Sequence, residues 1–233
     1  MNRSHHSTDL AVLDVNETLF PLDPVAARMT QVGLGGRLEL WFARVLRDGV
    51  AAAAAGRFVT FRQLASHHLD VLLAADDGTG VPADGDTADR VAHVLAGFEE
   101  VRLHPDVEPG LQQLRDAGVH VVALTNGAAG VASGALDRGG VSELVAAVHD
   151  VGEAGAWKPA PEAYRWVLDQ HGIPAGRAAM IAAHPWDVQG AQQVGMVGAW
   201  LDRDGASYPP GFPPPDVQGR DLAGVAAALT SPS

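Results

Sequence analysis

Leu10-Ala11-Val12-Leu13-Asp14-Val15-Asn16-Glu17-Thr18-Leu19-Phe20 begins as an unbroken apolar run, meets a carboxylate and continues through polar residues. A short run without polar alternation predicts a strand buried on both faces, the kind found inside a parallel sheet. Buried charge is costly without a partner, so Asp14 at the end of such a run is a poor packing residue. Open α/β sheets place their ligands outside the carboxyl ends of the strands, and Asp14 falls at that position. Taken alone, the residue could equally cap a turn. The rest of the chain decides.

Outward from Phe20 the texture changes. Pro21 and Pro24 predict a break in regular structure. Leu38, Trp41, Phe42, Val45 and Leu46 then recur at helical spacing, with Arg37, Arg44, Arg47 and Asp48 on other faces. Thr60 and Gln63 have the spacing of a capping box, opening a helix with Phe61, Leu64, His68, Leu69 and Leu72 along one stripe. Residues 76–86 read as a polar, glycine-rich loop, and a third helix turns Val91, Val94, Leu95 and Phe98 inward. From residue 103 a helix over 107–117 ends at Gly118, and strands are expected over 119–124, 144–151, 178–183 and, last, 196–201. Pro159 and Pro161 open one of the helices between them. Strands alternating with helices imply right-handed βαβ units and a parallel sheet. The expected architecture is therefore α/β: a Rossmann-like core (1–21 and 101–233) with an all-helical cap (22–100) inserted after the first strand.

At 233 residues the chain suits one core domain with an insertion. A formal net charge of −12 argues against a nucleic-acid partner, whose footprint is basic. The absence of cysteine excludes disulfides, thiolate metal sites and cysteine nucleophiles. Residues 1–9 are polar, without the apolar core of a signal peptide, and no apolar stretch approaches the ~18–20 residues of a membrane span. A cytoplasmic protein without membrane association is expected. His5 and His6 have no convincing partner.

Polar groups fall at or just beyond the ends of separate strands: Asp14, Thr125 with Asn126, Lys158 and Asp187. Lys158 is the only lysine in the chain. The set D-V-N-E-T (14–18), L-T-N-G (124–127), W-K-P-A-P-E-A-Y (157–164) and H-P-W-D-V-Q-G-A (184–191) resembles the four ordered motifs of the haloacid dehalogenase superfamily, and within it the type II (L-2-haloacid) dehalogenase branch. The resemblance implies that Asp14 is a nucleophile forming an ester that water then hydrolyses. Such a carboxylate needs a nearby cation to stay ionised, a role for Lys158. Thr18 would hydrogen-bond near the nucleophile. Asp187 could orient Lys158, activate the hydrolytic water or cap its helix. Asn16, Thr125, Asn126, Arg37, Trp41 and Trp186 are the expected substrate-binding residues.

The departures bear on the reaction. Superfamily phosphatases usually carry a second Asp two residues after the nucleophile, where this chain has Asn16. They also carry a magnesium-site Asp four residues before the Asp187 position, where it has Ala183. Both weaken a magnesium site, which asks for oxygen ligands in near-octahedral array. The dehalogenase pattern departs too. Its cap arginine falls at Leu34, one helical turn before Arg37, and its Ser-x-Asn becomes Ala182-Ala183-His184. His184 could be a general base, a substrate ligand or a structural histidine. His67 and His68 could face the site, though packing on the helix face is the plainer use. The expected function is hydrolytic dehalogenation of a small 2-haloacid with no cofactor. The alternatives are a magnesium-dependent phosphatase acting on a small phosphorylated metabolite, and an inactive homologue acting as a binding protein. A homodimer through apolar cap faces around Trp41 and Phe42 is a further expectation.

Overall fold

A computed structural model describes residues 8–75 and 86–231. The chain order is β1 (Leu10–Leu13), α1 (Asp23–Gln31), α2 (Leu38–Ala54), α3 (Phe61–Ala75), α4 (Thr87–Leu95), α5 (Val107–Asp116), β2 (His120–Thr125) and α6 (Ala129–Gly139). It continues through β3 (Ala147–Asp150), α7 (Val151–Ala154), α8 (Pro161–His171), β4 (Ala178–Ala182), α9 (Pro185–Gln193), β5 (Val197–Leu201), β6 (Val217–Gly219) and α10 (Leu222–Thr230). All strand pairings are parallel, in the order β3-β2-β1-β4-β5-β6. β1 and β4 are buried along their whole length, as their unbroken apolar sequences require. The chain winds outward from β1 to β3, then returns to build β4 to β6 on the other side. The crevice between β1 and β4 is thus the topological switch point of a doubly wound sheet.

The segment between β1 and α5 is helical and covers the carboxyl end of the sheet. Its two connections to the core run side by side, with the His104 amide donating to the Leu19 carbonyl at 2.9 Å. Arg28 and Glu100 form an ion pair at 2.6 Å close to the same crossing. The Thr60 capping box is present in both directions, Thr60 N donating to Gln63 Oε1 at 3.0 Å and Gln63 N to Thr60 Oγ1 at 3.3 Å.

Several expectations need correction. Pro24 does not break the chain but lies in the first turn of α1, where its missing N–H costs nothing. β5 is not the last strand, because the short V-Q-G segment of β6 pairs with it. Trp41, expected to face the substrate, is fully buried among Phe42, Phe61 and Phe98, and its indole N–H donates to the Ala65 carbonyl at 3.0 Å. With Phe42 also buried, neither ring offers an outward face for a dimer. His68 packs inward against Asp48, as a helix-face residue. His5, His6 and nearly all of the 76–86 loop lie outside the described residues.

Candidate active site

The end of β1 supplies the central carboxylate. Asp14 continues the strand, its amide donating to the Ile181 carbonyl of β4 at 3.0 Å, which fixes its side chain at the switch-point crevice. The chain then turns sharply through Glu17 at φ 60°, a left-handed conformation uncommon for a residue with a Cβ. This turn brings Thr18 Oγ1 back to donate to Asp14 Oδ2 at 2.7 Å, while the same hydroxyl accepts the Ala183 amide at 2.9 Å. β1 and the exit of β4 are thereby stitched together beside Asp14.

Lys158 reaches this crevice from the loop before α8 and is wholly buried. Its Nζ donates to Asp14 Oδ1 at 2.8 Å and to Asp187 Oδ2 at 2.7 Å. Asn126 fixes the lysine's backbone at both polar groups. Its Oδ1 accepts the Lys158 amide at 2.9 Å, and its Nδ2 donates to the Lys158 carbonyl at 3.1 Å. Trp157 anchors the same loop to the cap: its indole N–H donates to the Val59 carbonyl at 2.7 Å, and its ring lies where a side chain on Gly49 of α2 would stand. Asp187, in the first turn of α9, is steadied from the far side by the Tyr164 hydroxyl, which donates to Oδ1 at 2.5 Å.

His184, the residue before α9, completes the group. Its Nδ1 lies 3.0 Å from Asp14 Oδ2 and its Nε2 lies 2.9 Å from Glu17 Oε2. Trp186 stacks on the imidazole at 5.1 Å between ring centres, and Phe42 of the cap stands 6.3 Å away.

Charge in this site follows from burial and pairing. Burial alone would raise the Asp14 carboxyl, but the Lys158 ammonium and His184 outweigh it and hold Asp14 well below the usual carboxylate range. Burial opposes the Lys158 charge too, and the carboxylates of Asp14 and Asp187 raise it above its ordinary value. Asp187 moves the other way from Asp14: burial pushes it up, with the nearby Asp14 charge adding to the effect. Tyr164 is pushed well up, first by burial and then by the Asp187 charge, so it stays a donor. The arrangement is a carboxylate held ionised against an ammonium. That is a nucleophile's environment.

Asp14, Thr18, Lys158, Asp187 and His184 come together within hydrogen-bonding distance. Several expected substrate-binding residues make protein contacts of their own. The Asn126 amide holds the Lys158 backbone, and Thr125 Oγ1 accepts the Gly127 amide at 2.9 Å. Asn16 flanks Gly127 beside that hydroxyl. Arg37 is exposed at the amino end of α2. Sequence reasoning missed two residues. Tyr164 and Glu17 both stand inside the motifs without an expected role, and the part of Glu17 depends on its left-handed backbone.

The set does not fit a magnesium ion. The Lys158 ammonium already fills the space between Asp14 and Asp187, and Ala183 offers no side-chain oxygen. Among the described residues no group of three or more His, Cys, Asp or Glu is arranged to hold a metal.

Parallel sheet, switch-point carboxylate and helical cap together define a class. A family model described as haloacid dehalogenase-like hydrolase matches residues 8–195, and the chain belongs to that family. It is 27% identical over 220 residues to a phosphoserine phosphatase of Thermus thermophilus, covering 83% of this chain and 88% of that one. It is 23% identical over 174 residues to haloacetate dehalogenase H-2 of Moraxella sp. (strain B), covering 72% and 73%. The fold matches that of an L-2-haloacid dehalogenase from Xanthobacter autotrophicus with chloropropionic acid covalently bound, with a TM-score of 0.78 and 20% identity, covering 95% of this chain and 98% of that one. The likeness to haloacetate dehalogenase H-2 supports the type II dehalogenase-like branch, and the structural likeness shows the shared fold. Among the described residues no helix is long and apolar enough to cross a membrane.

Proposed function

We propose that this hydrolase cleaves the carbon–halogen bond of a small 2-haloacid through an ester on Asp14, without a metal. The observation that carries the reading is the Lys158 ammonium, set between two buried carboxylates with Asp14 the one held ionised. A carboxylate oxygen of Asp14 attacks the halogen-bearing carbon, the carbon–halogen bond breaks, and the halide leaves with the bonding pair. Water then attacks the ester at the Asp14 carboxyl carbon, restoring the carboxylate and releasing the hydroxyacid. Lys158 holds the nucleophile charged, Thr18 fixes one of its oxygens, and Asp187 with Tyr164 holds the ammonium from behind. The helical cap excludes bulk water from the displacement. Asn16 favours this reading over phosphate-ester cleavage, because an amide cannot protonate a leaving alkoxide. A covalently bound acid in the Xanthobacter neighbour supports the ester step here.

The similarity to a phosphoserine phosphatase favours a second reading, hydrolysis of a phosphate ester. One assay separates them: halide and phosphate release across a panel of 2-haloacids and phosphomonoesters, each with EDTA and with magnesium. Halide release that survives EDTA is expected. Phosphate release restored only by magnesium would replace the first reading with the second, and release from neither panel would favour a binding protein. Hydrolysis in heavy-oxygen water adds a direct test of the ester, because under single turnover the label must appear on the Asp14 peptide.

A further inference from the structure

His184 is held between two carboxylates from one short stretch of chain, and that stretch is strained to bring the second one there. Asp14 lies on its Nδ1 and Glu17 on its Nε2, at 3.0 and 2.9 Å. Glu17 is a non-glycine residue at φ 60°, and backbone strain of this kind gathers at functional sites. With acceptors at both ring nitrogens, the ring satisfies both only when each nitrogen bears a hydrogen.

We infer that Glu17 is a positioning residue that, with Asp14, holds His184 as an imidazolium in the resting enzyme, and that ester formation on Asp14 frees His184 to act as the base for the hydrolytic water. This rests on the reading of Asp14 as the esterified nucleophile. Burial pulls the imidazole down, but the hydrogen bonds and charges of Asp14 and Glu17 overcome it and raise it to about 10. Esterification removes the Asp14 charge. One of the two groups that hold the proton is then gone, while burial and Glu17 remain.

Asp14 and Glu17 come from the exit of β1, the uncharged Trp186 from α9 and Phe42 from α2. Lys158 and Asp187 lie behind Asp14. On the Glu17 side a cavity of about 280 Å³ is also lined by Asp23, His104, Asp202, Arg203 and Asp204. Among the groups in direct contact with the ring, Asp14 is the one that ester formation neutralises, so the change at His184 starts from Asp14.

Each step balances. After halide departure the imidazolium loses its Nδ1 proton, the one facing the now uncharged Asp14 ester, to water, while its Nε2–H stays donated to the Glu17 carboxylate. That proton reaches solvent and accompanies the halide. The tautomer with a free Nδ1 lone pair takes a proton from water as the water oxygen bonds to the Asp14 carboxyl carbon. The adduct breaks its bond to the substrate oxygen, which takes the remaining water-derived proton, leaving hydroxyacid, carboxylate and imidazolium.

The test is a ¹⁵N-histidine NMR titration of the whole protein without substrate, with His184→Gln giving the assignment. In the wild type both His184 nitrogens are expected to stay protonated through neutral pH. Asp14→Asn, the neutral isostere that imitates esterification, should lower the titration by about 2 units. Glu17→Gln should lower it similarly, and Glu17→Asp should restore part of the shift. In the same Glu17→Gln enzyme the halide burst should persist while the pH profile of ester hydrolysis moves to lower pH. A His184 that titrates in the ordinary range in the wild type, or that ignores Asp14→Asn, would overturn the inference even if halide is released. Intact titration behaviour with no halide release would instead overturn the reaction on which it rests.

Discussion

Lys158 is charged and dry because two carboxylates share it. Removing one partner of a buried pair strands the other, which costs about 3–5 kcal/mol. Lys158→Met is therefore expected to destabilise the fold by roughly that amount, and adding Asp14→Asn should recover part of the loss in denaturant unfolding. Turnover should be lost as fully in either single variant as in the double, since groups acting as a unit are not additive. Proton linkage adds a second test. The lowered Asp14 contributes stability above its unfolded value near 3.8, lost as pH falls; the raised His184 contributes stability below 6.5, lost as pH climbs toward about 10. The raised Asp187 opposes Asp14, costing stability as pH rises past its unfolded value. Urea unfolding at pH 5.5 and pH 9 should show the wild type losing more stability at high pH than His184→Gln. Asp14, Lys158 and Asp187 were legible because ionisable groups among apolar segments need a reason to be there. The backbone contacts of Asn126 and Trp41 were not legible, since a polar or aromatic side chain near a motif does not reveal that a backbone group far along the chain will meet it.

Elements place these residues, and small side chains set how closely the elements meet. A Cβ at Gly190 of α9 would stand 2.6 Å from the Tyr164 hydroxyl, which holds Asp187. Gly190→Ala should displace Tyr164 and lower turnover by on the order of 10²-fold per folded molecule, as misplacement near 1 Å does elsewhere. A rate near wild type would show that Tyr164 does not set the position of Asp187. At α3, Thr60→Ala removes the hydroxyl side of the capping box, leaving the residue-60 amide to Gln63, and should cost about 1 kcal/mol in thermal unfolding. That cap was legible from its spacing alone. α1 was not, because a proline in a first helical turn looks like a proline in a loop; neither was β6, whose V-Q-G carries no periodicity. Strands β1, β2, β4 and β5 were legible because their apolar runs are too short for helices and too continuous for edges.

At the scale of the molecule we propose that residues 22–100 form a cap distinct from the core, supported by the paired connections at Leu19 and His104. Protease cleavage concentrated at those connections, with the helices left intact, is the expected result; cleavage inside α2 or α3 first would deny the cap its independence. The seam between the two parts passes through Trp157, lodged against Gly49 and bonded to Val59, one residue from Lys158. Seen as an engineering joint, this plug and its socket restrict exchange of parts among relatives. A transplanted cap must bring a side-chain-free position opposite the indole and a carbonyl within its reach, or the graft dislodges the lysine it was meant only to cover.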